Sequence, residues 1–143
     1  GIPDFSPEHF RYINNADPMK SKQLNKGIEQ LMDEGVAQLF TLELNNRKII
    51  GTVGALQYEV IQYRLEHEYG AKCSYENINV HKACWVEPKD TKSEEFNEFK
   101  RVKSKFLAKD KSDQLVFLAD SEFSLQMTQQ KYPNITFHFT SEF

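Results

Sequence analysis

No stretch of this 143-residue chain approaches the roughly 20 consecutive apolar residues that cross a bilayer as a helix, so no membrane-spanning helix is expected. The opening GIPDFSPEHF lacks both the basic region and the apolar run of a secretion signal, which makes the cytoplasm the expected location. Cysteine is scarce. Cys73 and Cys84 stand in extended-looking stretches, where two thiols of a cytosolic chain are expected to be reduced and half-buried. His81 lies near Cys84, but a zinc site needs further ligands, and His9, His67 and His138 are scattered at no metal-binding spacing, so no metal is expected. A surplus of positive charge is also missing: the formal net charge is -3, which speaks against a strongly basic nucleic-acid domain and still allows a local basic face. The first methionine is Met19, so the chain is expected to continue upstream as part of a longer protein. No proline-rich, glycine/serine-rich or low-complexity linker divides it.

What is present is the balance of a globular protein, with 13% aromatic and 27% charged residues, long enough to bury roughly two thirds of its unfolded surface. Glu8 to Asn15 alternates as a strand does. Asp17 and Pro18 then give a helix-start signal, Leu24, Ile28, Leu31 and Met32 recur at helical spacing, and Gly35 stops the helix. Two β-rich runs flank Asn45 and Asn46, adjacent asparagines that tolerate the positive φ of a tight hairpin. Ala55 to Tyr69 reads as a second helix that sets Leu56, Val60 and Ile61 on the core, with Gly70 as its stop, and strand-like chemistry resumes at Lys72. This order is the βαββαβ pattern of a ferredoxin-like sandwich. KACWVEP then reads as a strand, and SEEFNEFKRVKSKFLAKDK as a helix with Phe96, Phe99, Val102 and Phe106 as its buried stripe. LVFLA, EFSLQMTQQKY and NITFHFT complete a βαβαβ second half. The expected class is α/β, an α+β sandwich of mixed sheets with helices packed on them, and Lys72 to Glu87 is expected to form one bent ladder common to both halves.

Gly51 and Gly54 stand where a phosphate cradle would be sought, but GTVGALQ has neither the lysine nor the hydroxyl of a Walker loop, and its G-x-x-G lacks the dinucleotide spacing. The two glycines read instead as a tight strand-to-helix turn. No nucleophile elbow or triad spacing is found, and Glu66, His67 and Glu68 spread over different faces of one helix. The basic residues fall in three groups: Lys20, Lys22 and Lys26 on the first helix, Arg47 and Lys48 at the hairpin tip, and Lys100, Arg101, Lys103 and Lys105 on the third helix beside Glu94, Glu95 and Glu98. The hairpin tip is the more suggestive, because exposed loops carry contacts and phosphate is the usual partner of arginine.

DPMKSKQLNKGIEQLMDEGVAQLF, followed by GTVGALQYEVIQYRLEHEYG, resembles the C-terminal domain of the bacterial peptide chain release factor 3 family of translational GTPases. KACWVEP and FLADSEFSLQMTQQKYPNITFHFTSEF extend the resemblance over essentially the whole chain. The first half is also similar to the third domain of elongation factor G, through the glycine turn and helix that carry Gly54, Leu56 and Glu59. The resemblance implies that residues 1–143 form a single C-terminal domain. Residues 8–80 would be its elongation-factor-G-like half and 81–143 a second α/β half, with the GTP-binding and β-barrel domains outside this chain. It implies no catalytic, cofactor or metal residue here, GTP and magnesium belonging to the absent GTPase domain. It implies docking on the ribosome through small-subunit rRNA and protein, contact with the factor's own GTPase and β-barrel domains, and a functional link to the class I release factors that the full-length factor expels after peptide release. It implies no membrane partner. The candidate ribosome contacts are Arg47, Lys48, Lys20, Lys22, Lys100 and Arg101. A competing reading is a free-standing ferredoxin-like RNA-binding or regulatory module, although no aromatic ribonucleoprotein signature is present. An enzyme finds no motif in its favour.

Overall fold

Asp17 caps the first helical turn as its sequence predicts: its Oδ1 accepts the Met19 N–H at 3.0 Å, and a 3-10 turn, Pro18–Lys20, runs directly into α1 (Ser21–Asp33) in the computed structural model, which describes residues 5–143. Before it lies β1 (His9–Asn15). After it come β2 (Gln38–Leu42), β3 (Lys48–Thr52), α2 (Leu56–Tyr69) and β4 (Cys73–Asn77). Positive φ is taken at the turn residues expected to need it, with 78° at Gly35, 61° at Asn46 and 65° at Gly70. The second half holds β5 (Lys82–Pro88), α3 (Glu94–Val102), a 3-10 turn at Ser104–Phe106, β6 (Leu107–Lys109), β7 (Leu115–Ala119), α4 (Glu122–Lys131) and β8 (Ile135–His138).

That second half has one strand more than the expected βαβαβ. The segment read as the end of the third helix leaves it after Val102, and Leu107 to Lys109 pair with β7 on one side and β2 on the other. Phe99, Val102 and Phe106 follow helical spacing, which hides the break. Val102 is 49% exposed and Phe106 only partly buried, while Phe96 and Phe99 are buried as expected. Both halves are therefore βαββαβ.

The strands form one sheet in the order β4-β1-β3-β2-β6-β7-β5-β8, with every pairing antiparallel. Within each half the order is fourth, first, third, second, and the halves meet through their second strands. The seam is short: Thr41 pairs with Lys109, Leu42 with Ala108, and the Glu43 N–H donates to the Leu107 carbonyl at 2.9 Å. The expected shared ladder from Lys72 to Glu87 is absent, since β4 lies at one sheet edge and β5 is next to the other edge.

Strand alternation splits the apolar side chains into three cores. α1 and α2 cover Ile13, Ile50 and Cys73, and α3 and α4 cover Cys84, Phe117 and Phe137. The third core contains Phe10, Phe40 and Ile49 of the first half and Ala83, Trp85 and Val116 of the second. The Phe40 and Trp85 rings lie 5.9 Å apart although β6 and β7 intervene between their strands, a separation of about 14 Å in a flat sheet. The sheet thus folds over at the seam and packs its two helix-free faces together. Trp85, fully buried there, donates its Nε1 proton to Asp110 Oδ2 at 2.9 Å, while Asp110 Oδ1 accepts the Ser112 and Gln114 N–H groups and shapes the β6–β7 turn.

α2 buries Tyr58, Ile61 and Leu65. Of the three residues expected on the core only Ile61 is there; Leu56 is 69% and Val60 42% exposed. This helix has apolar residues on opposite faces, so periodicity alone does not choose which one turns inward. Gly51 also differs from the expected turn role: it lies within β3, where a Cβ would come 2.9 Å from Pro7 and 3.0 Å from Phe40.

Candidate functional site

The hairpin between β2 and β3 folds toward the start of α1, and a cleft of about 270 Å³ lies between them, with Asn14, Ser21, Asn25, Asn46, Arg47 and Lys48 on its walls. Asn46, in the left-handed conformation, turns the chain so that Arg47 and Lys48 both face this cleft. Lys48 Nζ donates to Asn25 Oδ1 at 2.8 Å, a neutral partner that leaves its positive charge uncompensated. Lys20 and Lys22 flank the lining residue Ser21 in sequence; both are exposed, and neither side chain has a hydrogen-bond or ion-pair partner among the described residues.

Arg47 is held differently. Its guanidinium stacks 3.6 Å from the Tyr12 ring centroid, donates to Asn14 Oδ1 at 3.1 Å and forms an ion pair with Glu76 at 3.2 Å. Hydrogen bonding from Arg47, and then from Asn14, holds the Glu76 carboxyl below the usual carboxylate range. Arg47 therefore ties the hairpin to β1 and β4, and its charge is already shared with a carboxylate. The sequence did not single out Tyr12, Asn14, Asn25 or Glu76. The only local signal for them was the pairing of asparagines at 14–15 and 45–46.

Lys100 and Arg101 do not join this cleft. Both lie on α3, where Lys100 Nζ sits 4.6 Å over the Phe96 ring beside Glu43 and Leu44, and Arg101 is exposed. Of the six candidate cations, Arg47 and Lys48 line this cleft, Lys20 and Lys22 adjoin its Ser21 in sequence, and Lys100 and Arg101 lie apart on α3.

The glycine turn before α2 has a backbone group already in use. The Gly54 N–H donates to Gln57 Oε1 at 2.6 Å, and the Gln57 amide in turn donates to the Val36 carbonyl at 2.8 Å. A phosphate at this helix start would have to displace that side chain. Burial pushes the Cys73 thiol up and the Cys84 thiol up to about 12, so neither offers a reactive thiolate near neutral pH. Among the described residues no group of three or more His, Cys, Asp or Glu is placed to hold a metal ion, and no helix is long and apolar enough to cross a membrane. The chemistry available at the cleft is recognition of anions by ammonium groups and asparagine amides. A protein-family model described as class II release factor RF3, C-terminal domain, matches residues 1–129.

Proposed function

This chain belongs to the class II release factor RF3 C-terminal domain family, and from that membership, which makes it a translation termination factor domain, we propose that it docks its parent factor on the ribosome. In this reading residues 1–143 are the C-terminal domain of a longer translational GTPase, with nucleotide handled by domains outside the chain. The domain contacts the small subunit, and the parent's GTP cycle uses that hold to expel a class I release factor after peptide release. The domain itself hydrolyses nothing.

The family match carries the proposal, and the cleft supports it. Lys48 lines the cleft among hydrogen-bonding asparagines, and the exposed Lys20 and Lys22 adjoin it on either side of Ser21, a set of cations suited to the phosphates of folded RNA. Arg47 acts there as a positioning residue, since its guanidinium is committed to Tyr12, Asn14 and Glu76.

The test is binding of the chain to purified small ribosomal subunits over a series of salt concentrations. Changing Lys20, Lys22 and Lys48 together to Glu should weaken binding and lower the salt slope by about one for each phosphate no longer neutralised. A variant that binds like wild type at every salt concentration would remove the cleft from the interface. A wild-type chain that fails to bind would remove the docking role.

A further inference from the structure

α2 turns Tyr58, Ile61 and Leu65 into the core, and the stripe on its opposite side, Leu56, Val60, Tyr63 and His67, points to solvent. Tyr63 is 63% exposed, and its ring lies 4.1 Å from that of His67, centroid to centroid. Glu59 and Glu66 stand one turn to either side of Tyr63 on the same flank. The Glu59 carboxylate has no hydrogen-bond or ion-pair partner among the described residues, and that of Glu66 has Lys72 at 3.9 Å. On the other flank Arg64 is taken up by Glu34 and Glu68, both at 2.6 Å, so the carboxylates on and beside this helix outnumber its cations, Arg64 and Lys72.

Such a surface repels phosphate and suits the opposite kind of ligand. A guanidinium or ammonium group stacks on an exposed aromatic face, and a carboxylate one turn away fixes it further. Leu56 and Val60 add apolar contact for a neighbouring side chain. We infer, resting on the ribosome-docking reading, that the outer face of α2 receives an arginine- and lysine-rich protein segment with an apolar anchor. The domain then meets the small subunit through two chemistries: the cleft and its adjoining lysines take RNA, and α2 takes protein. The corresponding helix of the second half, α4, also exposes Phe123 and Met127, but its Glu122 is bonded to His81 and no aromatic is bracketed by carboxylates.

Binding of the chain to purified small subunits and to protein-free small-subunit rRNA tests this directly. Tyr63→Ala, and separately Glu59→Lys with Glu66→Lys, should each weaken binding to subunits about tenfold and leave binding to bare rRNA unchanged. Tyr63→Phe should retain affinity. A benzophenone side chain at position 60 should crosslink to a basic segment of a ribosomal protein. Undiminished affinity for subunits, an equal loss on bare rRNA, a crosslink to rRNA or to a second copy of the chain, or no crosslink would each overturn the inference. Failure of the wild-type chain to bind subunits would instead overturn the docking role on which it rests.

Discussion

The first half closes its helix-covered core with mostly aliphatic side chains and one edge-on ring pair, Tyr58 and Tyr75, between two long helices, whereas the second half covers an equivalent sheet with shorter helices and a cluster of rings gathered around Phe99. In the first, α1 and α2 come close enough that a Cβ at Gly27 would lie 2.7 Å from Leu65 and 2.9 Å from the Tyr69 ring. In the second, Phe99 meets Phe117, Tyr132 and Phe137 edge-on at 5.4 to 5.8 Å. One topology is thus filled in two ways. Close helix approach at Gly27 supplies density in the first half, and large rings supply it where the helices are short.

The contrast predicts that the second half depends more on a single residue. Phe99→Ala should cost about 3–5 kcal/mol, toward the upper end because four rings lose their partner, and Ile61→Ala in the first half about 2–5 kcal/mol, toward the lower end, in urea unfolding. Both should unfold the chain in one transition, because the sheet and the Trp85 core are continuous across the seam. Two separate transitions would break the comparison by making the halves independent folding units. Asp110→Ala probes what joins them. It removes the acceptor of the buried Trp85 N–H and of two turn amides, and a loss of about 1–3 kcal/mol is expected in the same assay.

Smaller changes sharpen the comparison within each half. The Tyr132 hydroxyl is buried without a hydrogen-bond partner among the described residues, so Tyr132→Phe should leave stability unchanged or raise it by up to about 1 kcal/mol. The clasp between the first-half helices should give the smallest effect. Hydrogen bonds from Arg64 hold Glu34 and Glu68 below the usual carboxylate range. Carboxylates lowered in the folded state contribute stability that is present above their unfolded value and is lost as pH falls through the lowered folded one. Thermal unfolding of Arg64→Met should therefore fall slightly below wild type at neutral pH and converge with it in acid. A constant difference at all pH values would show that Arg64 acts by packing rather than charge.

The start of the first helix and the tight turns were legible in the sequence because their chemistry is local. Asp17 caps the first turn through its own carboxylate, and Asn46, Gly35 and Gly70 take the conformations their side chains allow. The buried stripe of α1 was equally plain, since Leu24, Ile28, Leu31 and Met32 lie on one face. α2 misled because it is apolar on both faces, and the face left outside is the one that now carries a docking proposal. The candidate site was legible in part. The sequence marked Arg47 and Lys48 at the hairpin, but Glu76 and Asn14 are 29 and 33 residues from Arg47, and only their arrival beside it commits that guanidinium.

By itself the sequence determined the α+β class, the ferredoxin-like first half and most elements. Each of these rests on residue spacing and on backbone preferences that act within a few positions. The tertiary structure alone decided that the second half repeats the first, that one sheet runs through both, and which cations share a cleft. β6 is only three residues long and has too little pattern to announce itself. It becomes a strand because β2 and β7 offer it hydrogen bonds on both sides, and those partners are distant in the chain.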